Sequence, residues 1–263
     1  MFIIKNEKHN RLGEERLNNQ GCLMRIVEYN TNKDIIIEFQ DNYKARLNTQ
    51  YGSFVLGEVK NPYYPSVCGV GMTGCKYPSK INRKITKEYK AWAAMLHRCF
   101  DKNTKERQIT YESVDCCKEW LLFDNFYDWL HSQENFNQWL DGERWALDKD
   151  ILIKGNKIYS PETCCLIPQN VNCLFTKCES TRGNLPIGVC EHGNGFQSYC
   201  HNPFTNNKME YLGTHETPTI AFYYYKKFKE NIIKQVAEIE YKSGNITKQC
   251  YEAMMNYEVE ITD

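Results

Sequence analysis

An α+β fold in three consecutive parts is what this 263-residue sequence predicts. Three observations carry it. Residues 21 to about 60 alternate apolar and polar at the two-residue strand period. From Thr86 the apolar spacing lengthens to three and four, the helical period. From Pro186, three short strand-like runs precede one long helical stripe. The expected division is therefore an N-terminal β unit over 1–75, a helical and ββα region over 76–183, a three-stranded sheet with one helix over 184–243, and a tail over 244–263.

The first part rests on Met24 and Ile26, then Ile35, Ile37 and Phe39, with Asn30-Thr31-Asn32-Lys33 as the turn between them. Tyr51 to Gly57 reads as a further strand, and together these predict a small β-barrel or curled sheet. The glycines between Cys68 and Cys75 close that unit as a loop. A phosphate-binding loop would continue into Gly-Lys-Ser/Thr, which does not follow here.

In the second part Tyr89, Trp92, Met95, Leu96 and Cys99 make one helical stripe, with Lys87, Lys90 and Arg98 on the other face. Residues 83–107 hold eight Lys or Arg against three acids, a candidate track for a phosphate backbone. A second stripe follows in Trp120, Phe123, Phe126 and Leu130. Ala146 to Ile153 then reads as a strand, Lys154-Gly155-Asn156-Lys157 as a turn, Ile158-Tyr159 as the returning strand, and Pro168 to Phe175 as a helix. In the third part the strand runs are PIGVCEH, FQSYCHN and KMEYLGTH. The helix spans Pro218 to Tyr241 with Thr217 as its N-cap. Ile220 or Ala221, Tyr224, Phe228, Ile232, Val236 and Ile239 are its expected buried face.

Composition sets outer limits. Lys plus Arg count 33 and Asp plus Glu count 33, so any nucleic-acid binding needs a local basic face rather than a uniform one. No apolar run approaches the roughly 20 residues of a membrane span, and the first 21 residues lack a signal peptide's apolar stretch. A cytoplasmic protein with no membrane partner is expected. The 13 cysteines contain no C-x-x-C pair and read as reduced, buried thiols. Zinc is not expected: Cys190, His192, Cys200 and His201 lack finger spacing, and alternation puts Cys200 and His201 on opposite faces.

Two resemblances attach to these elements. Residues 145–176, WALDKDILIKGNKIYSPETCCLIPQNVNCLFT, resemble the HNH (ββα-metal) endonuclease-like proteins of phages and mobile elements. Trp92, Met95, Arg98 and Cys99, then Trp120, Phe123, Asn125 and Phe126, look like that group's helical lead-in. The resemblance implies a metal held by Asp148 and Asn172, with Asp150 as a possible further ligand and Mg²⁺ as the suited cation. Lys149 stands where the family places its general-base histidine. A lysine is protonated at neutral pH, so Lys149 is expected to contact phosphate instead of accepting a proton.

Gly188-Val189, Leu212-Gly213-Thr214 and Ala221-Phe222 with Tyr225 resemble the Apetala-type DNA-binding domain of plant ethylene-response factors, which also accompanies HNH nucleases in phages. That resemblance implies a sheet in the major groove, read here by Gln197, Tyr199, Asn202 and Lys208, although its strands carry no arginine. The implied function is double-stranded DNA binding with metal-dependent cleavage or nicking, in a bacterial host's cytoplasm. The alternative is an inactive scaffold that binds DNA or a host protein, for example as a phage inhibitor of a host defence system.

Overall fold

The computed structural model describes residues 11–176 and 184–261. The N-terminal stretch inspected for a leader lies largely outside these residues, as does the segment leading to the expected boundary at 183. The chain forms two compact units, Met1–Asp128 and Trp129–Asp263.

The first unit opens with four strands in the order β1-β2-β3-β4: β1 (Glu15–Leu17), β2 (Leu23–Thr31), β3 (Asp34–Phe39) and β4 (Arg46–Thr49). All pairs are antiparallel. Met24, Ile26, Ile35, Ile37 and Phe39 are fully buried, as their alternation demands. The sheet is open rather than a barrel, with β1 and β4 as its edges. Its inner face is covered by α1 (Tyr51–Val55), which buries Phe54 in the same core. This corrects the strand expected at Tyr51–Gly57. A five-residue apolar run has no readable period, and the chain coils over the sheet instead of extending it.

After a glycine-containing loop comes a small hairpin, β5 (Lys80–Ile81) and β6 (Lys84–Ile85). The α2 helix (Lys87–Phe100) starts at Thr86, whose side chain accepts from Tyr89 N. It buries Trp92, Met95, Leu96 and Cys99, the predicted stripe. Next are α3 (Lys102–Arg107), β7 (Asp115–Cys116) and α4 (Phe123–His131). Trp92 Nε1 donates to Trp120 O at 2.7 Å, and Tyr89, Trp92, Phe123 and Tyr127 form an aromatic cluster. In the glycine loop, Gly74 (φ +72°) allows the backbone to close on buried Asp124. Cys75, Lys76 and Tyr77 donate their N–H groups to its carboxylate at 3.1–3.2 Å. The loop cradles an internal carboxylate, which gives its glycines a structural reason.

The second unit contains α5 (Phe136–Asp141), β8 (Trp145–Asp148), β9 (Ile158–Tyr159), β10 (Cys165–Pro168) and α6 (Gln169–Cys173). It continues with β11 (Val189–His192), β12 (Gly195–Asn202), β13 (Lys208–His215), α7 (Pro218–Lys242) and α8 (Lys248–Met255). The antiparallel partner of β8 is β10, not Ile158–Tyr159 as expected. β10 is buried at all four positions and so shows no alternation to reveal it. The strand expected to run to Ile153 stops at Asp148.

The three-stranded antiparallel sheet β11-β12-β13 lies against α7. Gly188 (φ +75°) packs against the Tyr225 ring so closely that a Cβ would come within 2.1 Å of it. Ala221, Phe222 and Tyr225 are buried, whereas Ile220, Tyr224 and Ile239 are exposed. The buried face of α7 is thus rotated by about one residue from the expected one at its first turns. Ile151, Cys165, Ile167 and Val171 share one core with Val189, Cys200, Ala221, Ile233, Cys250 and Met254. The ββα segment, the sheet, α7 and the tail helix are therefore built around the same apolar cluster.

Candidate functional site

The loop after β8 is where the nuclease resemblance places its chemistry. Asp148 Oδ1 accepts from the backbone N–H groups of Asp150 (2.7 Å) and Ile151 (2.8 Å). This turn reverses the chain and ends the strand. It also takes Asp148 and Asp150 off the common face that a strand running from Ala146 to Ile153 would give them. Burial pushes the Asp148 carboxyl above the usual carboxylate range, opposed by the same two N–H bonds.

Lys149 is only 6% exposed. Its Nζ donates to Asp150 Oδ1 at 2.6 Å and to the Asn156 carbonyl at 3.0 Å, and it stands 5.9 Å from the Tyr159 ring centre. Asn156 returns the contact: its Nδ2 donates to Lys149 O (2.9 Å) and Ile158 O (2.7 Å). Lys149 and Asn156 thereby clasp the loop from both ends. The side chain expected to meet phosphate is turned inward.

Asn172 lies half-buried on α6, and its backbone carbonyl accepts from Phe175 N at 3.1 Å. The α6 helix packs on β8 and β10, so the strand and helix that carry the expected ligands are neighbours. The two carboxylates among them already carry internal bonds. One Asp148 oxygen is committed to two amides, Asp150 is ion-paired to Lys149, and an ammonium occupies the position between the two carboxylates in sequence. Among the described residues no group of three or more His, Cys, Asp or Glu is placed to hold a metal. Burial pushes the Cys164 thiol in β10's approach up to about 12, which leaves it protonated.

The sheet presents a different surface. Cross-strand partners share a face, so Cys190, Gln197 and Thr214, Tyr199 and Tyr211, and His201 and Met209 lie together on the side opposite buried Ser198 and Cys200. Gln197 Nε2 donates to Thr214 Oγ1 (3.2 Å), Tyr199 OH donates to Gln197 Oε1 (2.8 Å), and Tyr211 OH lies 2.7 Å from Thr214 Oγ1. A bulge opposite Ser198/Tyr199, with Gly213 at φ +122°, brings Thr214 into this set. No carboxylate lies in these cross-strand pairs, because Glu210 pairs with Cys200 on the other side.

Asn202 and Lys208 pair with each other on the Cys200 side by the same alternation, away from Gln197 and Tyr199. Asn202 is occupied locally: its Oδ1 accepts from Phe204 N (3.0 Å) and its Nδ2 donates to Glu210 (3.3 Å). The expected groove set therefore divides, with Gln197 and Tyr199 together and Asn202 and Lys208 apart. On α2, Lys90 is exposed while Lys87 and Arg98 are half-buried. Sequence reasoning missed Thr214 and Tyr211, which the bulge hides, and Asn156, visible only as a turn residue. It also missed Lys80 and the hairpin that joins it to Arg83 and Lys84, which it counted only within the basic stretch 83–107, because Asn82-Arg83 lacks the glycine that usually marks a two-residue turn. Comparison with known protein families, characterised proteins and solved structures finds no match.

Proposed function

We propose that this chain is a DNA-binding protein of the phage or mobile-element kind, working in a bacterial cytoplasm, whose ββα segment is a scaffold that does not cut DNA. The observation that carries the binding half is the carboxylate-free outer face of β11-β12-β13, with its hydrogen-bonded row of Gln197, Thr214, Tyr199 and Tyr211. A β-sheet of this kind fits the major groove, where an amide can pair with adenine and a tyrosine hydroxyl with phosphate or a base edge.

The inward Lys149 supports a reading without cleavage. Phosphodiester hydrolysis at such a site needs a group to take a proton from water and a cation at the scissile phosphate. Asp148 and Lys149, the residues in position, are spent on closing their own loop. No step is assigned to Asp148, Asp150 or Asn172 through Mg²⁺ for that reason.

A host-protein partner is the second reading. It is favoured by Met209 and Tyr211, both more than half exposed on the same outer face. Fluorescence anisotropy of a labelled duplex, titrated with the full chain at several salt concentrations, separates the two. DNA binding predicts a steep fall in affinity between about 50 and 200 mM salt. No binding at the lowest salt overturns it in favour of a protein partner.

A further inference from the structure

The β5–β6 hairpin gathers three exposed cations within five consecutive chain positions, Lys80 to Lys84. Its strands are joined by Asn82 and Arg83, both left-handed (φ 50° and 64°), as a two-residue turn of this hand requires. Glycine is the usual residue at the second position. Holding an arginine there costs about 1 kcal/mol, so turn stability is not what places Arg83 at the tip. Lys80 pairs with Ile85 and Ile81 with Lys84. Lys80 therefore projects from one face, Lys84 from the other, and Arg83 from the end. All three are exposed, and none makes an ion pair or a side-chain hydrogen bond with another of the described residues.

Three other surface cations of the same unit are neutralised: Lys76 by Asp128, Arg46 by Glu38, Arg25 by Glu15. From Lys80 to Lys90 the one acid is Glu88, and it is buried at 8% exposure. In a chain of zero formal charge, this stretch is positive towards solvent.

We infer that the β5–β6 hairpin enters the major groove of duplex DNA tip first, with Lys80 and Lys84 meeting phosphates on the two walls and Arg83 meeting base edges on the floor. The inference rests on the DNA-binding reading above. The groove is about 12 Å wide and admits a two-stranded ribbon. Cations on both faces match a cleft walled by phosphate on both sides. A bilayer surface or a single strand would engage one face and leave the other lysine in water. Arginine at the tip has the fork that pairs with guanine O6 and N7.

The test uses the full chain and a labelled duplex of about two helical turns, with affinity measured across a salt series. The variants are K80A/K84A, Arg83→Asn (asparagine tolerates the left-handed backbone) and Lys33→Ala as a control on another exposed turn. K80A/K84A is expected to lower the salt slope by about two, with an unchanged melting temperature. Arg83→Asn is expected to weaken a G·C-containing duplex about tenfold, and Lys33→Ala to match the wild type. Tight duplex binding with an unchanged slope in K80A/K84A overturns the arm and leaves the DNA-binding reading standing. An equal drop in Lys33→Ala, or equal affinity for single strands or anionic vesicles, also overturns the arm. Absence of wild-type duplex binding at about 50 mM salt overturns the arm and the reading together.

Discussion

Lys149 and the hairpin lysines Lys80 and Lys84 are one residue type put to opposite uses. Lys149 is buried and bonded at 2.6 and 3.0 Å to groups one and seven residues away. Lys80 and Lys84 are exposed on a two-residue-turn hairpin and have no ion-pair partner among the described residues. The first holds a loop shut, and the second is left open to solvent and to a ligand. The difference teaches that a cation's place in a resembling motif says less about its work than its solvation does. A desolvated ammonium must spend its hydrogen bonds internally, whereas a solvated one keeps them for a ligand.

The strongest way to break this comparison is to remove the internal lysine. Lys149→Met keeps the stem's volume but leaves Asp150 and the Asn156 carbonyl without their donor. It should lose about 2 kcal/mol of stability in chemical denaturation, with duplex affinity within about twofold of the wild type. A variant that folds as well as the wild type and loses DNA would make Lys149 a phosphate contact after all. Next in size is Asn156→Ala, which removes the donor to Lys149 O and Ile158 O. About 1 kcal/mol should go by the same measurement, again without loss of affinity.

Asp148→Asn sharpens the comparison through pH. Burial holds the folded-state Asp148 carboxyl above its unfolded value. Between those two values the folded chain binds the extra proton, so this group's contribution to stability falls as pH rises. An asparagine keeps the Oδ1 acceptor for the two backbone amides and carries no charge. The variant should melt a few degrees above the wild type at neutral pH, and the gap should close below the usual carboxylate range. A lower melting temperature at neutral pH would show that the charge itself holds the turn. The smallest effect is at the hairpin tip. Arg83→Gly relieves about 1 kcal/mol of left-handed backbone cost, and glycine's greater entropy loss on folding offsets about 0.5–1 kcal/mol of it. Thermal stability should therefore stay level or rise by up to about 0.5 kcal/mol, while duplex affinity drops.

Much of the fold was legible where one face is buried and the period is long enough to see. The stripes of α2 and α4 and the alternation of β2 and β3 are of this kind. The runs that became β11, β12 and β13 were readable for the same reason. Short or wholly buried elements were not. Tyr51–Val55 is too brief to show a period, and Cys165–Pro168 is buried on every side, so the true partner of β8 went unseen. Ile151 to Ile153 extended the apparent strand because the Asp148 turn that ends it depends on a side-chain bond. On α7, consecutive tyrosines 223 to 225 blur the stripe, since each has an apolar ring and a polar tip, and only Tyr225 turned inward. For the candidate sites, the residue types were visible in the sequence but their commitments were not. Nothing in LDKDILIKGN reveals that the lysine reaches the asparagine's carbonyl.

The most direct test of the central claim, binding without cleavage, is one gel of supercoiled plasmid incubated with the full chain and Mg²⁺. Each sample is loaded before and after removal of protein, beside Asp148→Ala and Asn172→Ala. The account predicts retarded plasmid that returns to the supercoiled position once the protein is stripped, in all three proteins. Metal-dependent conversion to nicked circle by the wild type, lost in both variants, would contradict it and make the ββα loop a catalytic site.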